Sequence, residues 1–285
     1  LTDAIRGKLG SRVDRANLNS QYVRVFTFRY KSLSNVVAGY MVAPKCPGEE
    51  GVLPVILYNR GGTGDFGLVK QGMLFTEISE LARWGYVVIG SQYSGNSLSE
   101  GHDEHGGADL QGILDLYPLV ERLTCVDANR IGMFGVSRGG MMTYLCMAQV
   151  SWVKAAVTLA GAANLVRGEK LRPEMTRIFT DSFGGSQTEL RRRSAVYWPK
   201  RIAGVPLLLL HGSRDPRVSV QDSLDLTGKL CTLGGATRLV IFEGGDHLIS
   251  QHRAEWLEQT RAWFDKFLRV PPLLERQGQV ADQRR

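Results

Sequence analysis

Arg130-Ile131-Gly132-Met133-Phe134-Gly135-Val136-Ser137-Arg138-Gly139-Gly140-Met141-Met142-Thr143-Tyr144 is the stretch on which the fold turns. A short apolar run of strand length ends at Gly135. Ser137 follows after a single valine, and Gly139 opens a helical segment. The pattern is G-x-S-x-G, in which a strand passes into a helix through a turn so tight that its serine is strained. Glycines two residues to either side are required, because side chains there would collide with the neighbouring strand and helix. The serine hydroxyl is then lifted to the end of a sheet, at a helix N-terminus whose partial positive charge favours a developing oxyanion. Glycine-rich strand-helix turns also arise for packing alone, so partners for the serine have to come from elsewhere in the chain.

Working outward, strands and helices alternate. Residues 22–28 alternate polar and apolar, as a strand with one wet face does, and residues 35–42 read as its hairpin partner, stopped by Pro44 and the Pro47-Gly48 turn. Residues 54–58 form a continuous apolar strand buried on both faces, and it runs into Asn59-Arg60-Gly61-Gly62-Thr63-Gly64. Phe75, Ile78 and Leu81 repeat at helical spacing; residues 86–89 are a strand, followed by a loop from Ser91 to Gly107. Leu110, Ile113, Leu114, Tyr117 and Val120 mark the next helix, with Pro118 expected to bend it on its outer side. Strands are predicted at 131–134, 153–159, 205–210 and 237–242, before a last amphipathic helix carrying Trp256, Trp263, Phe264 and Phe267. This predicts an α/β fold: a mainly parallel sheet of about eight strands, helices on both faces, and an antiparallel hairpin at one edge. Residues 161–204 break the alternation and are too long for a structureless loop, so a small helical cap is expected there. The predicted organisation is an N-terminal arm (1–20), one domain (21–270) and a polar tail (271–285).

The 285 residues are ordinary in composition, with 43% hydrophobic and 22% charged residues, and the 33 glycines suit a fold with many strand-helix junctions. The net charge is +7, part of it in Arg191-Arg192-Arg193 and Arg284-Arg285. No basic array interleaved with aromatics accompanies it, so a solvated basic face is expected rather than a nucleic-acid site. Cys46, Cys125, Cys146 and Cys231 lack ligand-like spacing, and Cys125 and Cys146 are expected to be buried thiols. No apolar run approaches the ~20 residues of a membrane span. The chain begins at Leu1 rather than Met, which leaves a cytoplasmic or a secreted or periplasmic compartment open.

A serine needs a base to take its proton, and the base needs a partner to fix its tautomer. In this kind of sheet the order along the chain is serine, acid, histidine, each following a different strand. The apolar run ending at Leu210 is followed by His211-Gly212-Ser213-Arg214-Asp215-Pro216-Arg217, and the run ending at Phe242 by Glu243-Gly244-Gly245-Asp246-His247. Asp215 and His247 therefore stand at the expected strand ends. His211 is read as a structural histidine satisfied by backbone, His252 as part of the last helix, and Asp222 as part of the helix after Asp215. Asp246 adjoins His247 and is poorly placed to reach the far ring nitrogen. Gly101-His102-Asp103-Glu104-His105-Gly106 lies in a glycine-flanked loop rather than on one helix face, so it is read as a solvated loop or helix cap and no metal is assigned. The oxyanion needs two donors: the Arg138 backbone N–H, and one from the Arg60-Gly61-Gly62 loop.

These motifs together resemble the catalytic domain of the prolyl oligopeptidase family of α/β-hydrolases. The likeness covers roughly residues 20–270 and rests on Gly135-Val136-Ser137-Arg138-Gly139-Gly140, His211 to Val218, and Gly244-Gly245-Asp246-His247. Gly101 to Asp109 and Arg193-Ser194-Ala195-Val196-Tyr197-Trp198 are similar too. The resemblance implies Ser137 as nucleophile, His247 as general base, Asp215 as its orienting acid, a covalent acyl-enzyme and no cofactor. Two departures stand out. Where the family often has tyrosine or histidine before the Gly-Gly of the third-strand loop, this chain has Arg60, so either its side chain or the Gly61 backbone is the second donor. Where some peptidases have Tyr-Arg-Gly after the fourth strand, this chain has Tyr93-Ser94-Gly95.

The best-known members also carry a large N-terminal propeller, whereas about 20 residues precede the first predicted strand here. The expected function is therefore hydrolysis of a small-molecule ester or short peptide, with esters slightly favoured and a peptidase as the alternative. Tyr93, Met141 and Trp198 are the candidate pocket residues. A non-catalytic interaction protein on the same scaffold is the rival of another class, disfavoured because no member of the triad is missing. Substrate identity and oligomeric state are not encoded in these motifs.

Overall fold

In the computed structural model, residues 13–45 and 52–269 are described. Most of the expected arm, the tail from 271 and Cys46 lie outside the described residues. The chain enters through α1 (Val13–Tyr22) and the hairpin β1 (Val23–Ser32) and β2 (Asn35–Pro44), followed by β3 (Leu53–Asn59). A helical turn (Gln71–Met73) and a π-helical turn (Leu74–Ile78) lead into α2 (Ser79–Arg83) and then β4 (Val87–Ser91). Next come α3 (Gln111–Leu114), α4 (Tyr117–Glu121), β5 (Val126–Val136), α5 (Arg138–Met147) and β6 (Val153–Leu159). Between β6 and β7 (Leu207–Gly212) lie α6 (Leu165–Leu171), α7 (Met175–Phe183) and α8 (Gln187–Arg192); α9 (Val220–Thr232), β8 (Thr237–Phe242) and α10 (Arg253–Leu268) complete the described fold.

The eight strands form one sheet in the order β1-β2-β4-β3-β5-β6-β7-β8. β1 to β2 and β2 to β4 are antiparallel, and the remaining pairs are parallel. Every residue of β3 is buried, as a central strand covered on both faces requires. Its alternation splits the core: Val55 and Leu57 face the layer with Ile113 and Leu226, while Ile56 and Tyr58 face the layer with Ile78, Trp263 and Phe264. Gly132 makes room for the last helix, since a Cβ there would sit 2.7 Å from Leu268 Cδ1 and 2.8 Å from Phe264 Cε1.

Three expectations shift. Pro118 does not bend a continuous helix; the helix ends at Leu114, and Pro118 sits in the first turn of α4, where its missing N–H has no intrahelical role. β7 begins after Pro206 rather than at 205, because proline has no N–H for the ladder. Cys146 is buried, but Cys125 is exposed at the turn before β5.

The helices between β6 and β7 are pinned to α9 by charge. Asn164 caps α6 and its N–H donates to Asp222 Oδ2 at 3.0 Å. Arg167 reaches Asp222 Oδ1 at 2.9 Å and Asp225 Oδ2 at 2.5 Å. Burial pushes the Asp222 carboxyl up to about 6, outweighing the hydrogen bond and charge of Arg167. A raised carboxyl means that the folded state holds the proton more tightly than the unfolded chain. Stability from this group is thus full below about pH 4 and is lost as pH rises through about 6. Denaturant unfolding from pH 4 to 7 should show that decline, and Asp222→Asn should flatten it.

The elbow carries a second prediction. A Cβ on Gly139 would lie 1.9 Å from the Asn59 carbonyl oxygen, whereas one on Gly228, inside α9, meets nothing within 4 Å. Gly139→Ala should cost about 1–3 kcal/mol or more through overpacking and lower the melting temperature by several degrees. Gly228→Ala should instead add about 0.5–1 kcal/mol. Calorimetry of the two variants side by side checks both signs.

Candidate active site

Ser137 joins β5 to α5 with φ 56° and ψ −118°, a region that an L-residue enters only under constraint, at ~1–3 kcal/mol. The constraint is visible on every side. Its N–H donates to Leu159 O on β6 at 2.9 Å, and its carbonyl accepts from Gly140 N at 2.9 Å and Ala162 N at 3.1 Å. A Cβ on Gly135 would lie 2.3 Å from Gly139 O, so backbone of β5 and α5 touches directly across the turn. The Arg138 N–H, first in α5, has no acceptor within its own helix.

The loop after β7 presents Asp215. Its Oδ1 accepts the backbone N–H groups of Arg217 (2.8 Å) and Val218 (3.0 Å), and its Oδ2 lies 2.7 Å from His247 Nδ1. Burial alone would raise the Asp215 carboxyl; hydrogen bonds from His211 and His247 overcome it and hold the group well below the usual carboxylate range. An ionised acid requires His247 to carry its proton on Nδ1, which leaves the Nε2 lone pair free. His211 is fully buried and only partly backbone-satisfied: Nε2 lies 3.0 Å from Val218 O and 3.3 Å from Asp215 Oδ2, and Nδ1 lies 2.7 Å from Ser223 Oγ. Asp246 serves its own turn, with Oδ1 accepting from Leu248 N and Ser250 N. His252 lies in a 3₁₀ turn before α10, bonded to Glu255 and to Glu243 O.

Ser137 and His247 line one cavity of about 740 Å³. Among the described residues the serine hydroxyl and the imidazole are not hydrogen-bonded to each other. Such contacts are often long in unliganded enzymes and tighten with substrate. Gly61 borders the same cavity, and a Cβ on it would lie 3.3 Å from Ser137 Cβ. Arg60 does not: its guanidinium is fully buried and donates to the carbonyls of Gly61, Gly64, Phe66 and Gln92. Its side chain is consumed beneath the loop and cannot reach an oxyanion.

The three pocket residues expected from the sequence lie elsewhere. Tyr93 is fully buried beneath the loop, its hydroxyl donating to Arg60 O at 2.9 Å. Met141 faces the core against Gly106, and Trp198 lies on a separate surface groove with its indole donating to Arg192 O. Phe66, Met175, Ile178, Phe179 and Leu248 supply the apolar wall instead, with Arg172 and Arg217 beside them. Met175, Ile178 and Phe179 follow i, i+3, i+4 spacing, the signal that marks one face of α7.

The Gly101–Asp109 loop is also not solvated throughout. His102 is exposed, but His105 is buried, lines the cavity and packs edge-on to Phe179 with ring centroids 5.4 Å apart. Burial, with the Arg138 charge, pushes the His105 imidazole well down, so it is neutral. Asp109, inside the 3₁₀ turn that follows (Ala108–Leu110), accepts from Gly106 N and Gly107 N, and Glu104 accepts the Ala108 N–H at 2.7 Å. Arg138 fastens the loop to the elbow through Asp103 and, at 2.9 Å, through Asp109. Arg193, expected on a basic surface, is buried and donates to the carbonyls of Glu104 and His105. Among the described residues, no group of three or more His, Cys, Asp or Glu could hold a metal ion, and no helix is long and apolar enough to cross a membrane.

Residues 73–270 match the sequence model of the prolyl oligopeptidase family. The uncharacterized peptidase YtmA of Bacillus subtilis is 31% identical over 216 residues, covering 74% of this chain and 81% of its own length. Dipeptidyl-peptidase 5 of Aspergillus fumigatus is 26% identical over 198 residues, 64% of this chain but 27% of its own. The acylaminoacyl peptidase of Pyrococcus horikoshii superposes with a TM-score of 0.77 over 96% of this chain and 45% of that one, at 24% identity. The chain thus spans most of the first relative and less than half of the other two. With the sheet order described above, these likenesses assign the α/β-hydrolase fold, and the chain belongs to the prolyl oligopeptidase family of serine hydrolases.

Proposed function

We propose that the chain is a serine peptidase that hydrolyses short peptides through an acyl-enzyme, with Ser137 as nucleophile, His247 as base and Asp215 as orienting acid. The observation that carries this is the 2.7 Å Asp215–His247 bond opening onto the cavity that the strained Ser137 lines. His247 Nε2 takes the serine proton as Oγ attacks the carbonyl, and the buried Asp215 carboxylate stabilises the imidazolium that forms. The developing oxyanion is held by the N–H groups of Arg138 and Gly61. His247 then returns the proton to the leaving amine, and water resolves the acyl-enzyme by the same steps in reverse.

The relatives are named as peptidases, which supports amide over the ester preference suggested by sequence alone. A cavity of about 740 Å³ is of small-ligand size, which favours a short substrate. Its apolar wall of Phe66, Ile178, Phe179 and Leu248 favours an apolar acyl side chain.

Fluorophosphonate labelling should be lost in Ser137→Ala, with kcat falling ~10⁴-fold or more, and Asp215→Asn should cost about 10⁴-fold. Apolar aminoacyl-p-nitroanilides should be accelerated over their uncatalysed rates more than p-nitrophenyl acetate is. Ester turnover without anilide turnover would overturn the peptidase assignment and restore the ester reading.

A further inference from the structure

The loop after β3 folds back on itself so closely that a Cβ on Gly62 would lie 2.0 Å from Phe66 O. It is built over a fully buried cation, Arg60. Arg60 Nη1 donates to Gly61 O at 3.0 Å and to Phe66 O at 3.4 Å, Nη2 to Gly64 O at 3.2 Å, and Nε and Nη2 to Gln92 O at 3.2 and 3.0 Å. Among the described residues no carboxylate forms an ion pair with it. A buried cation spent on backbone carbonyls is costly, and arginine is otherwise abundant on this surface. Something about the loop requires it.

Peptide geometry says what. A trans peptide points its C=O and the N–H that follows in opposite directions within one plane. The Arg60 carbonyl is tied down by the Tyr93 hydroxyl at 2.9 Å, so the Gly61 N–H of the same peptide must point away from Tyr93. Gly61 itself borders the cavity and adjoins the elbow, a Cβ on it lying 3.3 Å from Ser137 Cβ. The next peptide is held likewise, its Gly61 carbonyl taken by Arg60 Nη1. Arg138 Nη1 takes the third, Gly62 O, at 3.2 Å, and Asp103 Oδ2 accepts the Gly64 N–H at 3.3 Å. The Tyr93 ring lies between the two cations, 4.8 Å from the Arg60 guanidinium and 5.0 Å from that of Arg138.

We propose that Tyr93 and Arg60 are positioning residues of the oxyanion site, fixing two successive peptide planes so that the Gly61 N–H stays turned towards Ser137. The inference rests on the acyl-transfer reading above. Tyr93 acts through backbone rather than on substrate, and Arg60 acts by its fork of donors, which an ammonium cannot reproduce.

The test uses the purified full chain and an apolar peptide boronate as the tetrahedral mimic. Tyr93→Phe deletes one oxygen and keeps the ring between the arginines. It should lower kcat about 10-fold and weaken boronate binding by a similar factor, with KM within about 2-fold. Arg60→Lys keeps the charge and should lose about 10²-fold in kcat. Binding of an uncleaved peptide to Tyr93→Phe in a Ser137→Ala background should match Ser137→Ala alone. A folded Tyr93→Phe with kcat and boronate affinity within 2-fold of wild type would overturn the proposal, as would a loss confined to KM. Should Arg60→Lys fail to fold, Tyr93→Phe alone decides. If the wild-type chain neither turns over peptide nor binds boronate at Ser137, the nucleophile assignment fails and takes this inference with it.

Discussion

Contact between backbone atoms across the elbow is the constraint on which the rest depends. Gly135 and Gly139 let β5 and α5 meet with nothing between them, and the Asn59 carbonyl of β3 presses on Gly139 from the adjacent strand. Ser137 has no conformation left but one with positive φ, and its side chain is pushed out of the sheet into the cavity. Strain of this kind persists only where the surroundings over-determine it. Here the surroundings are β3, β5 and β6, the central strands of the sheet.

The other groups are attached to that fixed point by polar contacts. Asp215 and His247 follow β7 and β8, strands aligned in parallel with β5, so both loops emerge at the same end of the sheet. A Cβ on Gly212 would collide with Gly245 O at 2.3 Å, which shows how tightly those two loops abut. On the opposite side, Arg138 links the elbow to Asp103, Asp109 and the Gly62 carbonyl. Burial favours neutral Asp103, but the Arg138 hydrogen bonds and charge prevail and hold it well below the usual range. One residue, adjacent to Ser137, thus connects the elbow with two of the loops that wall the cavity.

The elbow is legible in the sequence because its cause is steric and local: glycine spacing records where backbones touch. Asp215 and His247 are legible because apolar runs mark strand ends and parallel topology brings those ends together. The bounds of β6 and β8 follow from the same runs. What a large side chain near a motif faces is not written locally. Tyr93, Met141 and Trp198 lie in or beside motif segments, and tertiary packing turns each of them elsewhere. Met175, Ile178 and Phe179 show helical spacing in the chain, but only the docking of α6 on α9 through Arg167 and Asp222 decides what that face covers. Arg193 reads as surface charge because its acceptors, the Glu104 and His105 carbonyls, lie in a distant loop, and the burial of Arg60 is equally unwritten, since the Gln92 carbonyl that holds it is 32 residues away.

Acyl-enzyme trapping tests the central claim most directly. The chain would be mixed with an activated apolar acyl ester, quenched in acid within the first turnover, digested and sequenced by mass spectrometry. The account predicts one acyl group per chain, on Ser137, and none when His247 is replaced by glutamine. Acylation at another residue, or at Ser137 to the same extent without the His247 imidazole, would contradict it.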